Sequence, residues 1–325
     1  MAHALSEAEL LTLVDRLADG QWHSGEDLAQ ASGISRAALA KRIARLADWQ
    51  MQVEARQGVG YRLPAAIERL DVMRLRAALP QLRVDVLTVT DSTSTRAMAA
   101  PAEADPQALL AEVQSAGRGR RGRSWMSPFG AQLALSLAWS FDEIPPQLGA
   151  LPLAAGVCCA QALRAHGLEA VGLKWPNDIQ VGGRKLGGIL LEHRGEAGGR
   201  CRIVAGIGIN LCVPALPEDQ VLQPWINLDE ALRAAGRPAV SRNALAIELL
   251  RALHGLFSAY GTTGFASWAG AWAALDVTRD RSVRVVQGDH SFEGRAGGVD
   301  ADGALIVDAG GQRHLLHSGE VSVRL

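Results

Sequence analysis

A stretch of glycine and arginine restricts what the surrounding chain can fold into. Residues 117–125 run Gly-Arg-Gly-Arg-Arg-Gly-Arg-Ser-Trp. Glycine lets a backbone turn sharply and approach a ligand closely, and arginine brings a permanent charge with a fork of donors that fits phosphate or carboxylate. The pattern predicts a loop that closes over an anion, with a solvated basic turn as the alternative.

The segments that flank this loop predict a sheet. Residues 108–113 have strand character, and Leu133, Leu135 and Leu137 alternate with small residues, which is the periodicity of a strand. The three glycines of the loop formally match a dinucleotide-binding fingerprint, but that fingerprint requires a helix that opens inside it. Because Ser-Pro-Phe-Gly at 127–130 breaks the chain instead, we reject a Rossmann site.

Length and composition bound the other choices. A chain of 325 residues predicts two or three domains, and 48% hydrophobic residues suffice for a core. The net charge of −1 argues against a protein that coats nucleic acid or membrane. The four cysteines lack metal-ligand or redox spacing and fit reduced thiols. With no signal-peptide pattern and no apolar run of about 18 residues, we expect a cytoplasmic protein that does not contact membranes.

The N-terminal domain, residues 1–64, has the pattern of a winged helix-turn-helix. Val14 and Leu17 share a face of the first helix, while Ser24 and Ser35 can cap two further helices. A short glycine-containing hairpin then follows in the position of a wing.

Charge is distributed unevenly in this domain. Residues 1–35 carry six acidic side chains and one arginine, whereas residues 36–62 carry six basic and two acidic side chains. A surface that faces DNA phosphates requires this polarity. The basic side chains of the third helix are the predicted DNA contacts, with a protein–protein module as the alternative: Arg36, Lys41, Arg42 and Arg45.

Residues 65–275 form the predicted central domain. A helix is expected over 67–79, a strand over 82–90, and a long apolar helix over 147–166. The run Asp-Ser-Thr-Ser-Thr at 91–95 is expected to cap a helix that starts near Arg96. Hydroxyls at such a position can donate to a carbonyl or ureido oxygen of a ligand, although simple capping is the more common role.

Three further segments of this domain gather polar groups beside glycines. Lys174, Asn177 and Asp178 surround a Trp-Pro break in a strand, and Lys185 starts the returning strand next to Gly187 and Gly188. The strand that ends at Asn210 contains two more glycines, which often mark close approach by another group.

Residues 276–325 predict a small module of short strands. Turn patterns at 300–303 and 309–311 separate these strands. The spacing of His290, His314 and His317 fits no metal-ligand pattern, and we expect no metal site in the protein.

Three motifs in order identify a resemblance. The Gly-Arg loop from Gly117, Lys-Trp-Pro-Asn-Asp from Lys174, and Arg-Lys-Leu-Gly-Gly-Ile-Leu from Arg184 resemble a biotin–protein ligase. With the N-terminal module, the whole chain resembles the bifunctional type, which is also the repressor of the biotin biosynthesis operon. The specificity of the resemblance comes mainly from residues 91–210.

The resemblance implies an α+β multidomain fold. It implies a central mixed sheet related to class II aminoacyl-tRNA synthetases and an SH3-like C-terminal barrel. It also implies a biotin–[acetyl-CoA-carboxylase] ligase, which makes biotinyl-5′-adenylate and pyrophosphate from biotin and MgATP. The biotin is then transferred to a lysine of the biotin carboxyl carrier protein. Operator DNA and a homodimer in the adenylate-bound state are the other implied partners.

The family also implies roles for individual residues. Arg118, Arg120, Lys185 and Asp178 are the predicted catalytic residues, and the resemblance places Asp178 beside the reacting centre. Its carboxylate is our candidate to position the acceptor amine or to help take its proton, with a simple turn residue as the alternative. Ser124 departs from the family pattern, which tends to have a basic residue there. The remaining implied contacts with biotin or the adenylate are Ser92, Thr93, Ser94, Gln114, Gly119, Lys174, Asn177, Gly188, Asn210 and Trp225.

Two other functions compete with this one. A regulator could sense a ligand through a catalytically dead ligase domain, although such a domain has no need to keep Arg118, Arg120, Lys174 and Lys185 together. A lipoate ligase shares the catalytic fold but normally lacks a helix-turn-helix and this arginine loop.

Overall fold

The computed structural model describes residues 6–195, 199–214, 223–287, 290–317 and 321–324. Within these ranges the chain forms a helical module with a hairpin, a central mixed sheet with helices, and a C-terminal antiparallel sheet. The predicted α+β class and the order of its three parts are confirmed. The division at 1–64, 65–275 and 276–325 stays our proposal.

The N-terminal module has three helices and a hairpin. Its elements are α1 (Glu7–Leu17), α2 (Gly25–Ala31), α3 (Arg36–Arg45), β1 (Glu54–Arg56) and β2 (Gly60–Arg62). Ser6, Ser24 and Ser35 each accept a hydrogen bond from backbone N–H groups of the following first turn. These bonds satisfy donors that have no partner inside the helix, which fixes where each helix begins.

The central sheet has seven strands. They are β3 (Arg83–Thr90), β4 (Gln107–Gln114), β5 (Gln132–Phe141), β6 (Val171–Lys174), β7 (Asp178–Val181), β8 (Arg184–Gly195) and β9 (Cys201–Asn210). Their order is β3-β4-β5-β9-β8-β7-β6. The β3–β4 pair is parallel and the other pairs are antiparallel. The strand that we predicted after the Gly-Arg loop is β5.

Helices cover the two faces of this sheet unequally. One face packs against α6 (Leu151–Ala165) and α8 (Arg242–Thr263), the latter preceded in the chain by α7 (Leu228–Ala234), while α5 (Thr93–Ala99) contacts β4, β5 and β9. Leu133, Leu135 and Leu137 of β5 lie in the main core cluster, whereas Ala138 lies in a separate cluster with Ala97 of α5. The α5 helix has only seven residues, so it covers only part of its face of the sheet.

Two helix boundaries differ from the predictions. The helix expected over 67–79 is α4 (Val72–Ala78), because the backbone N–H groups of Leu70 and Asp71 donate to distant side chains. The helix expected near Arg96 begins at Thr93, because Ser92 is its N-cap.

The long apolar helix predicted over 147–166 is α6, preceded by a 3-10 turn over Leu148–Ala150. Residues 148–165 are long and apolar enough to cross a membrane by length and composition, and 67% of this window is buried inside the protein. Its position between α8, α9 (Ala266–Leu275) and the sheet is that of a core helix.

The C-terminal sheet has the order β13-β12-β11-β10-β14, with every pair antiparallel. Its strands are β10 (Ser282–Gln287), β11 (His290–Val299), β12 (Leu305–Ala309), β13 (Gln312–Leu316) and β14 (Val321–Arg324). Val283, Val285 and Val307 join the main core cluster, and the indole N–H of Trp175 donates to the Gly303 carbonyl at 3.0 Å. This module is therefore packed directly against the central one.

A buried ion pair ties the connecting segment to the central module. Arg242 and Glu112 are 2% and 3% exposed and contact each other, and Glu112 also accepts from the Leu70 N–H at 2.7 Å. On the other side, Arg69 reaches both carboxylate oxygens of Asp15 in α1 at 2.8 Å. The segment that connects the two modules is thus bonded to both of them, which fixes the N-terminal module against the central one.

Candidate functional site

Small residues form the floor of a cleft on the α5 face of the sheet. Across three neighbouring strands, Ala134 of β5 is opposite Gly208 of β9, which is opposite Gly188 of β8. In the next row Gly206 lies between Ser136 and Leu190. A β-carbon at Gly206 would lie 2.3 Å from the Ser94 hydroxyl oxygen. The prediction that these strand glycines mark close approach is confirmed.

Trp125 closes one end of this floor. A β-carbon at Gly208 would lie 2.6 Å from its indole nitrogen. The indole N–H donates to Gln132 Oε1 at 2.9 Å, and Gln132 in turn donates to Asn210 Oδ1 at 2.8 Å. The last residue of the Gly-Arg stretch is therefore fixed to the sheet by packing and by hydrogen bonds.

A wall of hydroxyl and amide groups stands beside the floor. Gln114 Oε1 accepts from the Thr93 N–H at 2.8 Å and from the Thr93 hydroxyl at 3.2 Å. The Ser136 hydroxyl donates to Thr93 Oγ1 at 2.8 Å and lies 3.1 Å from Ser94 Oγ. All four residues are buried, and such a network can recognise a ligand with several donors and acceptors. Ser92 is also buried and caps α5.

The Gly-Arg loop is a tight hairpin. The Gly119 N–H donates to the Arg123 carbonyl at 2.7 Å, and the Trp125 N–H donates to the Gly117 carbonyl at 2.8 Å. A side chain at Gly117 would clash with the Trp125 carbonyl, since its β-carbon would lie 2.3 Å away. At the turn Arg121 has a φ of 58°. The backbone thus needs glycine where the chain doubles back most closely.

Two arginines of the loop reach opposite ends of the cleft. Arg118 forms an ion pair with Glu192 of β8, with 2.8 Å between Nη2 and Oε1, and donates to the Thr95 hydroxyl at 3.4 Å. Arg120 donates to Asn177 Oδ1 at 3.4 Å. Burial is the main cause that lowers the pKa of the Arg120 guanidinium, which still remains a cation at neutral pH.

A lysine and a carboxylate meet at the Arg120 end. Lys185 Nζ lies 2.6 Å from Asp178 Oδ1, and their side chains are only 17% and 15% exposed. The Lys185 ammonium also lies over the Trp125 ring, 5.4 Å from its centroid. Lys174, at the end of β6, is opposite Asp178 in the strand pairing and half-buried. Positive charge is concentrated where the loop faces β7 and β8.

Trp225 pairs with Lys185 of β8 in an isolated parallel bridge. The Lys185 N–H donates to the Pro224 carbonyl, and the Lys185 carbonyl accepts from the Ile226 N–H, both at 2.9 Å. Asn210 donates to the Ile226 carbonyl at 3.4 Å. The half-buried Trp225 is therefore held next to the lysine.

The structure brings most of the predicted site residues to this cleft. Sequence reasoning missed Trp125, Gln132, Ser136 and Glu192. Ser136 lies on the same face of β5 as Ala134, and Glu192 lies on the same face of β8 as Gly188. The two-residue period of side chains in a strand is therefore the sequence pattern that could have assigned both residues to the cleft.

The N-terminal module contacts the strand that ends at this cleft. Trp49 and Phe129 are stacked with their ring centroids 5.1 Å apart, and the Gln50 amide donates to the Gln114 carbonyl at 3.3 Å. A cavity of about 360 Å³ lies at this boundary.

The basic helix α3 does not expose all four of its predicted DNA contacts equally. Arg36, Lys41 and Arg45 are exposed, and Arg45 pairs with Asp48 at 2.7 Å. Arg42 is half-buried with a side chain 15% exposed, and it pairs with Glu9 of α1. This geometry argues against Arg42 as a phosphate contact, because its charge is already neutralised inside the module.

The fold and the cleft define a class of protein. Residues 86–210 match the model described as "Biotin/lipoate A/B protein ligase family", residues 280–324 match "Biotin protein ligase C terminal domain", and residues 9–62 match "HTH domain". The chain belongs to the biotin protein ligase family.

Curated relatives extend over almost the whole chain. The chain is 40% identical over 315 residues to "Bifunctional ligase/repressor BirA" of Salmonella typhimurium, covering 97% of both chains. It is 39% identical to the protein of that name from Escherichia coli, again covering 97% of both. Among solved structures, the biotin protein ligase from Aquifex aeolicus in complex with biotin and ATP has a TM-score of 0.63 at 24% identity. That likeness covers 74% of this chain and 98% of the other, and it supports the fold.

Proposed function

We propose that this protein is a biotin–protein ligase and a biotin-responsive transcriptional repressor. It activates biotin with ATP to biotinyl-5′-adenylate and transfers the biotin to a lysine of a carrier protein. The observation that carries the proposal is the cleft on the α5 face, where a buried hydroxyl and amide wall leads to the Lys185–Asp178 pair beneath Arg120. The names of the curated relatives support both activities.

The wall favours biotin over lipoate. The ureido group of biotin has two N–H donors and a carbonyl acceptor, and these match the groups of Ser94, Gln114 and Thr93. The dithiolane ring of lipoate offers no comparable partners. A site built to hydrogen-bond its substrate rejects an analogue that lacks those groups, because its own buried polar atoms are then left unpaired.

In the first half-reaction, the biotin carboxylate attacks the α-phosphate of ATP. A bond forms between the carboxylate oxygen and phosphorus, and the bond to pyrophosphate breaks. The approach brings negative charges together, which Arg120 and Lys185 offset at the closed end of the cleft. The carboxylate of biotin then competes with Asp178 for the Lys185 ammonium, and Trp225 stacks on the adenine.

In the second half-reaction, the acceptor lysine attacks the activated carbonyl, and AMP leaves. The amine must first lose a proton, since a free lysine has a pKa of about 10.4. Asp178 lies at the reacting end and is our candidate to position this amine or to help take its proton. Closure of the Gly-Arg loop excludes water, so that the mixed anhydride survives until the carrier arrives.

Magnesium enters this account with the phosphates of ATP. Among the residues that the structure describes, no group of three His, Cys, Asp or Glu side chains can hold a metal ion. Mg²⁺ usually keeps several waters and binds through one or two carboxylates plus substrate phosphates. Asp178 lies at the reacting end of the cleft and is our candidate carboxylate for the ion, which would neutralise phosphate charge there.

Pyrophosphate release, measured side by side with biotin and with lipoate, tests the ligase proposal. We expect release with biotin only. Release with lipoate alone would support a lipoate ligase, and release with neither would support a ligand-sensing regulator without ligase activity.

The repressor activity is tested separately. One winged module presents few base-reading side chains, so two modules on a palindromic operator are needed. We propose that the adenylate favours the dimer by binding its loop conformation more tightly. A mobility shift on the promoter of the protein's own biotin genes should strengthen with biotin and ATP and weaken steeply with salt. A mobility shift that is the same with and without biotin would contradict the coupling between adenylate and DNA binding. The absence of any shift would contradict DNA binding itself.

Exposed and paired cations of α3 provide a matched comparison in the same assay. Arg36→Ala and Lys41→Ala should each reduce the salt dependence of binding by about 0.9 in log–log slope for each phosphate that the side chain no longer neutralises. Arg42→Ala should lower the melting temperature of the N-terminal module, because it removes the ion pair that joins α3 to Glu9 of α1, while the salt slope stays as in wild type.

A further inference from the structure

We propose that Glu192 is a positioning residue that holds the Gly-Arg loop over the cleft through its ion pair with Arg118. This inference rests on the proposed ligase function and adds a residue to it. Arg118 and Glu192 are joined at 2.8 Å between Nη2 and Oε1. Of the two arginines that reach across the cleft, Arg118 is thereby anchored to the sheet and Arg120 faces the reacting end.

The position of Glu192 follows from strand alternation. Residues 188, 190 and 192 of β8 share one face, and the pairing with β9 is regular from Gly187 to Gly195. Gly188 and Leu190 line the cleft on that face. Glu192 is opposite Val204, which belongs to the apolar cluster under α5. The carboxylate therefore lies at the α5 end of the cleft, away from the Lys185–Asp178 pair.

The surroundings of Glu192 favour a role for its charge. Its side chain is 24% exposed, and its second oxygen, Oε2, is buried with no hydrogen-bond partner among the residues that the structure describes. Burying a carboxylate costs free energy that a partner cation has to offset. Arg118 is the cation on this carboxylate, and it also donates to Thr95 of α5. Strand pairing with Val204 uses only the backbone of Glu192, so its charge is left to hold Arg118 of the loop.

The loop is consequently held at two points. Its Arg118 end is joined to β8 and α5, and its Arg120 end is joined to the turn between β6 and β7 through Asn177. Glu192 touches no reacting atom, so its loss changes how long the loop stays closed and leaves the chemistry of carboxylate attack in place. Removing Arg118 has a larger effect, because it also leaves the Glu192 charge unpaired next to a polar ligand.

The experiment uses the full-length protein, with biotinyl-adenylate formed on it from biotin and radiolabelled ATP. We expect Glu192→Gln to release bound adenylate about three- to fivefold faster than wild type, which corresponds to the loss of a partly exposed ion pair. The KM for biotin should rise by a similar factor, while kcat for pyrophosphate release changes less than twofold. This split distinguishes positioning from a catalytic role and from general damage to the fold.

Four companion variants make the result decisive. Glu248→Gln removes a glutamate that pairs with His166 on the other face of the sheet, and its release rate should equal that of wild type. Arg118→Gln should release adenylate faster than Glu192→Gln, and the double variant should be no worse than Arg118→Gln. Glu192→Asp, which keeps the charge, should recover part of the retention.

Each outcome decides the proposal. Unchanged or slower release from Glu192→Gln, or additive effects in the double variant, would overturn it. Wild-type protein that forms no adenylate from biotin would overturn the proposed function instead, so the two failures are distinguishable.

Discussion

The two faces of the central sheet are built from alternate residues of the same strands, yet they differ in chemistry. On β5 and β9, Leu135 and Ile207 are opposite each other and buried against α6 and α8. Their neighbours on the other face, Ser136 and Gly206, lie under hydroxyls of α5. The comparison teaches that one face supplies stability through close apolar packing, while the other gives up side-chain volume to seat Ser94 and Trp125 beside the proposed biotin site.

Leu135→Ala should have the largest effect, and it should be on stability. Truncating a fully buried leucine removes transfer free energy and leaves a cavity, which costs about 2–5 kcal/mol of unfolding free energy. Denaturant unfolding measures this change. At a temperature where the variant is folded, its KM for biotin should stay within about twofold of wild type; a large rise in KM would break the proposed division of the faces.

Lys185→Ala should have the next largest effect, and it should be on catalysis. Losing one charge-assisted contact in a site closed to water should raise the barrier to adenylation by roughly 2.7–4 kcal/mol, by analogy with the loss of an oxyanion-hole donor. Biotin-dependent pyrophosphate release measures this. Arg184→Ala is the matched control, since Arg184 pairs with Glu230 at the surface. Activity of Lys185→Ala within threefold of wild type would remove the lysine from this role.

Gly208→Ala tests the difference between the two faces of the sheet by adding a single methyl group on the cleft face. The new β-carbon would overlap the Trp125 indole, so the ring and the loop must shift. Overpacking of this kind costs about 1–3 kcal/mol, and we expect most of it as weaker biotin binding in calorimetry. Ile207→Val, one residue away on the apolar face, should instead lower stability by about 0.5–1.5 kcal/mol with biotin affinity unchanged. Equal affinities for the two variants would contradict the assignment of the faces.

Ser136→Ala should have the smallest effect of the four. It removes the donor to Thr93 Oγ1 and a partner of Ser94 without changing the shape of the floor. One neutral hydrogen bond is worth about 1 kcal/mol, which predicts a biotin Kd about fivefold higher. Ala138→Ser, two residues further along the same strand face and beneath α5, should leave the Kd unchanged because it lies outside the wall.

Much of this arrangement could be predicted from local sequence patterns. Strand alternation placed β5 after the loop, serine caps located α2 and α3, and glycines beside Lys185 and Asn210 marked the cleft. These predictions succeeded because they depend on residues that are close in the chain.

The features that local patterns did not predict depend on contacts between distant residues. Residues 67–71 stay outside α4 because Glu112 and Asn243, far along the chain, accept hydrogen bonds from the backbone N–H groups of Leu70 and Asp71. Arg42 looks like the other cations of α3, but Glu9 of α1 neutralises it. No local sequence pattern marks Glu192 as a site residue, since its proposed role depends on Arg118, which lies in the distant loop between β4 and β5. Side-chain pairing of this kind is set by tertiary packing, which the spacing of residues along the chain does not determine.

A crystal structure of the protein with biotin and MgATP would test the central claim most directly. We predict density for biotinyl-5′-adenylate on the α5 face, with its ureido ring against Gly206 and Ser94 and its phosphate between Arg120 and Lys185. Density at another place, such as the cavity between the N-terminal and central modules, or a nucleotide far from Lys185, would contradict the account.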